Sequence, residues 1–207
     1  MPTTTTALTI RRSTEDRQQQ IVLTVLALAA EQGVDAITTQ AIADRIGLTQ
    51  GAVFRHFPTK EAIWSAVLDW LVAKMEELFG AAEGLPPLAA LERVFEAYMA
   101  LFARYPAVPR LFFSDTFHHP YPRLHARLQA MVRSCEERLA TWIRQAQRAG
   151  DISPVSSPVA AKLLLTCIQG LAFQTCVLGI IEDPAAIGRK LFPLCLAALG
   201  VSRHKQS

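Results

Sequence analysis

The sequence predicts an all-α fold: an amino-terminal three-helix unit built round a helix-turn-helix, then a larger helical unit, about nine helices in all. Three observations lead there. Apolar residues recur at helical spacing along nearly the whole chain, from Ile21 to Leu199. Between Thr38 and Ile63, two very short amphipathic helices are joined by a glycine turn. Of 207 residues, 51% are hydrophobic, a larger supply of core than a small helical unit of roughly sixty residues can use.

Taken in order, residues 1–12 are threonine-rich and aperiodic and read as a mobile arm carrying Arg11 and Arg12. A first helix starts near Ser13 or Thr14, with Glu15 and Asp16 in the first turn where the helix dipole favours negative charge, and stops at Gly33. Its apolar stripe is Ile21, Val25 and Leu28, with Val22 and Ala29 beside it. Thr38 is the cap of a second helix that carries Ala41, Ile42, Ala43 and Ile46 and ends at Gly47. Thr49 caps a third, Gln50 to about His56, with Val53 and Phe57 inward and Gln50, Ala52 and Arg55 outward.

After Pro58, Thr59 caps a fourth helix from Lys60 to about Ala82, bearing Ile63, Trp64, Val67, Trp70, Leu71, Met75 and Leu78. Gly84 to Pro87 breaks it. The boundary between units falls in this helix, giving residues 1–62 and 63–207. Leu88 to Tyr105 follows, with Leu91, Phe95, Tyr98, Met99 and Phe102 inward, then a short aromatic helix from Pro109 to His118. A long helix from Arg123 to Ala149 turns Leu124, Leu128, Met131, Cys135, Leu139, Trp142 and Ile143 inward. Its arginines, Arg127 and Arg138 among them, read as a solvated face. The last two helices, Ser157 to Ile181 and Pro184 to Leu199, are unusually apolar and antiparallel. A single chain would expose much of this pair, and small Gly170, Ala172 and Gly179 permit close approach.

The short central motif carries the chemistry. Counted from Thr39, alanine falls fifth, glycine ninth and valine fifteenth. That is helix-turn-helix spacing: Ala43 lets the helices cross closely, Gly47 makes the turn and Val53 fills the angle. The outward side chains of the second motif helix would enter a major groove, so double-stranded DNA is the expected partner. Bulk charge does not supply the affinity. The whole chain is only +3, and residues 1–60 hold six Arg or Lys against five Asp or Glu. Phosphate binding must come from placement of Arg45, Arg55, Lys60 and the amino-terminal arginines, doubled by a dimer.

Residues 54–61, Phe-Arg-His-Phe-Pro-Thr-Lys-Glu, with the motif before them, resemble the signature of the TetR family of transcriptional regulators over roughly residues 14 to 63. One departure stands out: the family's usual tyrosine is Phe54 here, so the phenolic phosphate contact of relatives does not carry over. The resemblance implies a homodimer closed by a four-helix bundle of the last two helices. Two recognition helices about 34 Å apart would then read a palindromic operator. Residues expected on DNA are Thr38, Thr39, Arg45, Thr49, Gln50, Gly51, Ala52, Phe54, Arg55, His56 and Lys60. Gln50 and Ala52, with Thr49, would face bases, and Thr39, Arg55, His56 and Lys60 would hold phosphates.

The resemblance also implies an effector cavity in the carboxy-terminal unit, whose occupant tilts the fourth helix and separates the recognition helices. Its expected lining is Phe95, Tyr98, Phe102, Phe112, Phe113, Phe117, Trp142, Gln169 and Phe173, with His118, His119 and His125 as further polar handles. No carboxylate or arginine falls in that aromatic set, so an uncharged, largely apolar effector is expected. Repression rather than activation follows from family habit alone.

Other classes find less support. No Ser-His-Asp order, phosphate loop or metal-spaced cluster is present, so neither catalysis nor a resident cofactor or metal is expected. A metal sensor built on His118, His119 and His125 is a minor alternative. Cys135, Cys167, Cys176 and Cys195 form no CxxC pair. Nine residues along one helix hold Cys167 and Cys176 roughly 13 Å apart, too far for a disulfide. Reduced thiols and a cytoplasmic location are expected, with redox sensing a further alternative. The 19 residues from Leu163 to Ile181 lack charge. Thr166, Gln169, Gln174 and Thr175 nevertheless favour a buried dimer helix over a membrane span.

Overall fold

The computed structural model describes residues 13–115 and 120–201. The expected amino-terminal arm, Phe117, His118 and His119 lie outside the described residues. Every regular element among them is helical: α1 Thr14–Gln32, α2 Thr39–Arg45, α3 Gln50–His56, α4 Lys60–Gly80, α5 Pro87–Arg104, α6 Ala107–Phe112, α7 Pro122–Arg148, α8 Ser157–Cys176 and α9 Pro184–Ala198.

Local chemistry accounts for where these helices begin. Ser13 and Asp16 form a capping box on α1: the Asp16 amide donates to Ser13 Oγ at 3.0 Å and the Ser13 amide to Asp16 Oδ2 at 3.2 Å. Thr38, Thr49 and Thr59 repeat one device. Each hydroxyl oxygen accepts from the amide three residues on, at 3.1, 3.2 and 3.0 Å. Gly47 takes φ +66 between α2 and α3, the left-handed conformation that a residue with a Cβ adopts only at a cost.

Core packing follows the apolar stripes. Ile21, Val25, Leu28 and Ala29 of α1 are buried with Ile42, Ala43, Val53 and Phe57 of the motif and Ile63, Trp64 and Val67 of α4. Beyond its first turns α4 runs on, 21 residues long, to pack against α5 and α7. It therefore spans about 30 Å, starting beside the motif and ending in the larger unit. α7 packs against α4, α5 and α8, and α9 against α5 and α8. Gly188 of α9 meets α5 closely: a Cβ there would lie 3.0 Å from Met99 Cγ.

Four expectations need correcting. The aromatic segment α6 begins at Ala107, two residues earlier than the spacing predicts, and ends at Phe112. Pro109 sits in its first turn, where the missing amide has no intrahelical partner to lose. α8 stops at Cys176 rather than Ile181, because Leu178 folds back onto the Phe173 carbonyl (3.1 Å) and Ile180 onto Gln174 (2.9 Å). Gly179 makes that turn, at φ +65, and is not a close-packing position within a helix.

The arginines of α7 are not merely solvated. Arg127 pairs with Asp69 and donates to Ser65 Oγ at 2.8 Å. Arg138 bridges Glu76 at 2.8 Å and Glu83 at 3.0 Å, and its guanidinium lies 4.5 Å from the Phe79 ring centroid. Both fasten α7 to α4. The exposed pairs contribute little each in water, but the stacked, half-buried Arg138 packs as well as pairs.

Candidate nucleic-acid interface and cavity

The motif presents one polar face. Val53 and Phe57 point into the core, leaving Thr49, Gln50, Gly51, Phe54 and Arg55 exposed and Ala52, His56 and Lys60 half-buried. Thr38 is exposed and Thr39 half-buried at the start of α2, on the same side. Gln50 Nε2 donates to Thr39 Oγ1 at 2.7 Å, tying the amino ends of α2 and α3 together. Thr38 and Thr49 use an oxygen lone pair in capping and keep a hydroxyl proton to donate. Phe54 is 39% exposed, an apolar surface beside Arg55. The face therefore combines donors suited to phosphate with a short apolar and amide-bearing ridge suited to base edges.

Arg45 differs from the expected arrangement. Its guanidinium holds Glu31 of α1 through both nitrogens, at 2.9 and 2.5 Å. The hydrogen bond from Arg45 lowers the Glu31 carboxyl below its ordinary range. Contact between Arg45 and phosphate must therefore compete with this fork, a cost no helical spacing reveals. Behind the motif, Gln18 Nε2 donates to the His56 carbonyl at 3.4 Å, a contact from α1 to the end of α3.

A cavity of about 420 Å³ lies between α4, α5, α6, α7 and α8. Of the expected lining, Tyr98, Phe102, Phe112, Phe113 and Gln169 are there. Phe95, Trp142 and Phe173 do not line it. Phe95 packs on Phe192 with ring centroids 5.2 Å apart, and Trp142 stacks on Phe79 at 5.7 Å. Phe173 meets Phe113 at 5.0 Å outside the lining, and Phe113 itself is 54% exposed. Much of the remaining wall is aliphatic, including Met75, Val108, Leu128, Met131, Leu165, Ile168 and Ala172. The expected aromatic set omits these, although helical periodicity marks Met75, Leu128 and Met131 as inward.

The cavity is also less neutral than expected. Its rim holds Arg133, Glu136 and Lys162, the last two paired at 2.7 Å, together with His125 and Gln129. Deeper in, burial pushes the Tyr98 hydroxyl well above its usual range and raises the Cys135 thiol, so both stay uncharged. Among the described residues, no group of three His, Cys, Asp or Glu side chains converges on a possible metal position. The Cys195 and Cys167 sulfurs are 3.5 Å apart, bringing α9 and α8 together in a way the spacing of cysteines did not disclose.

An apolar stripe remains uncovered along α8, its following turn and α9. Val159, Leu163, Val177, Leu178, Ile180 and Leu194 are exposed, Val159 to 66% and Ile180 to 67%. Gly170 lies within it, and a Cβ there would meet nothing within 4 Å.

Residues 21–67 match the family model described as bacterial regulatory proteins, tetR family. The nucleoid occlusion factor SlmA of Vibrio vulnificus is 24% identical over 165 residues, 76% of this chain and 83% of that protein. A TetR transcription regulator from Haloarcula marismortui superposes with a TM-score of 0.77 at 20% identity, covering 89% of this chain and 98% of the other. AibR, solved in complex with isovaleryl coenzyme A and operator DNA, gives a TM-score of 0.72 at 18% identity, covering 87% and 98%. At these identities the structural likenesses speak for the fold.

Proposed function

Through its residues 21–67 this chain belongs to the tetR family of bacterial regulatory proteins, and from that premise we propose that it is a ligand-responsive transcriptional repressor. It is a helix-turn-helix DNA-binding regulator and not an enzyme. In this reading residues 1–62 bind a palindromic operator and residues 63–207 bind the effector and dimerise, in the cytoplasm where the DNA is. The observation that carries it is the outward face of α3: Gln50, Phe54 and Arg55 exposed over buried Val53, with Thr39 alongside. Gln50 and Ala52, with Thr49 and Gly51, approach bases; Thr38, Thr39, Arg55, His56 and Lys60 hold phosphates, and Phe54 lies against the sugar-phosphate backbone. Arg45 joins them once released from Glu31.

The homodimer reading is supported by the uncovered apolar stripe of α8 and α9, the kind of surface a second copy buries. Small-molecule response is supported by the cavity, since its walls include α4 through Met75 and α6 through Phe112. Filling it shifts α4, and with it the separation of the two recognition helices. Tyr98, Phe102, Phe112, Phe113 and Gln169 are the expected residues that contact the effector.

A mobility-shift assay with the DNA upstream of the chain's own gene tests this. Salt-sensitive binding to a palindromic segment is the expected result; no such binding to any palindromic DNA would overturn it. A second reading, a nucleoid occlusion factor, is favoured by the 165-residue likeness to SlmA. Transcription in vitro from a bound promoter separates the two: a repressor lowers it.

A further inference from the structure

We propose that the cavity takes an amphipathic anion, with an apolar body between α7 and α8 and a carboxylate-like head at the rim against Arg133 and Lys162. This rests on reading the cavity as the effector site and replaces the uncharged occupant that the aromatic set alone suggests. The inner wall, including Tyr98, Phe102, Leu128, Met131 and Ile168, is buried and carries no charge. It asks for an apolar body, and about 420 Å³ is within the range of cavities that enclose small organic ligands.

The rim asks for something else. Along one edge of α7, steps of three and four residues align His125, Gln129, Arg133 and Glu136, with Lys162 of α8 opposite. Lys162 Nζ donates to Glu136 Oε1 at 2.7 Å, so those two charges offset each other. Arg133 is the surplus: exposed and, among the described residues, in no ion pair. A cationic head would face that guanidinium across a short gap. A neutral head accepts a single, weaker hydrogen bond from it. An anion accepts from the guanidinium fork and draws a second bond from Lys162 as Lys162 swings from Glu136. Such contacts are weak in open water, but the ligand's own body dries one side of this rim and lowers the local dielectric.

The test is titration calorimetry of the full chain with three probes that share one apolar tail: dodecanoate, dodecan-1-ol and dodecyltrimethylammonium, the two ions below their micelle concentrations and the alcohol below its solubility limit. The expected order has dodecanoate about tenfold tighter than the alcohol, and the cation weakest. Arg133→Gln with Lys162→Gln, both at exposed positions, should bring dodecanoate down to the affinity of the alcohol, which itself loses far less. Glu136→Gln should act oppositely, tightening dodecanoate a few-fold by freeing Lys162. Equal affinity for dodecanoate and the alcohol, or a preference that survives the double substitution, overturns the anionic head and leaves the effector cavity standing. Failure of all three probes to bind would remove the cavity reading itself, and this inference with it.

Discussion

The guanidinium of Arg110 in α6 donates through Nη1 to the carbonyl oxygen of Ala30 in α1 at 2.8 Å. Its Nε donates to the Cys176 carbonyl, the last of α8, also at 2.8 Å. One cation thus satisfies carbonyls at the carboxy ends of two helices, one beside the motif and one in the wall of the cavity, where unpaired carbonyls and the helix dipole both favour positive charge. α6 itself contributes Val108, Pro109 and Phe112 to the cavity.

Arg110→Ala should therefore loosen the joint between α1, α6 and α8. Partly buried hydrogen bonds to a charged group are at stake, and the expected loss is about 2–3 kcal/mol in urea unfolding. Arg110→Lys, whose single ammonium cannot span both carbonyls as a fork does, should fall in between. Stability unchanged in Arg110→Ala would mean that the clamp is incidental.

The motif residues should separate by role. Lys60→Ala should weaken binding to all DNA sequences alike and lower the slope of log affinity against log salt by about one, whereas Gln50→Ala should relax base preference. Equal relaxation by both would contradict the sorting.

The Arg45–Glu31 fork makes a prediction of opposite sign. Glu31→Gln keeps the shape and removes the charge that holds Arg45, so affinity for non-specific DNA should rise and the salt slope steepen. Because the Glu31 carboxyl is held below its ordinary range, its contribution is present above the unfolded value and lost as pH falls through the lower folded value. DNA affinity should accordingly show no step from this pair between about pH 5 and 8. An NMR titration of Glu31 checks the assignment.

If a second copy covers the apolar stripe, as proposed, a charge placed there should break the dimer. Leu163→Arg or Leu194→Arg alters an exposed side chain, so the fold survives while sedimentation shows monomers at micromolar concentration. Operator binding is lost with them, since two half-sites no longer act together. Persistence of the dimer in both variants would place the contact elsewhere.

The cysteines provide a chemical readout of packing. Burial first, then the neighbouring Cys167, pushes the Cys195 thiol from an ordinary 9.0 to about 12. A raised folded value means that the neutral thiol adds stability in full below the unfolded value, and that this is lost as pH rises from about 9 toward 12. Iodoacetamide at pH 8 should modify half-buried Cys167 well before Cys195, which digestion and mass spectrometry can resolve. Rapid labelling of Cys195 would show that α9 does not sit on α8 as described.

Local rules were enough for the amino-terminal motif. The three threonine caps, the turn at Gly47 and the inward Val53 depend on contacts within a few residues, so their spacing in the chain already specifies them. Only the tertiary structure decided which inward residues face one another. Periodicity tells which side of a helix is buried but not against what, so Phe95 and Trp142 read as cavity wall and are packed on Phe192 and Phe79. Partners far apart in sequence are chosen by how helices cross. That is why Arg45 is held by Glu31, Arg127 and Arg138 by α4, and Arg110 by Ala30, 80 residues away.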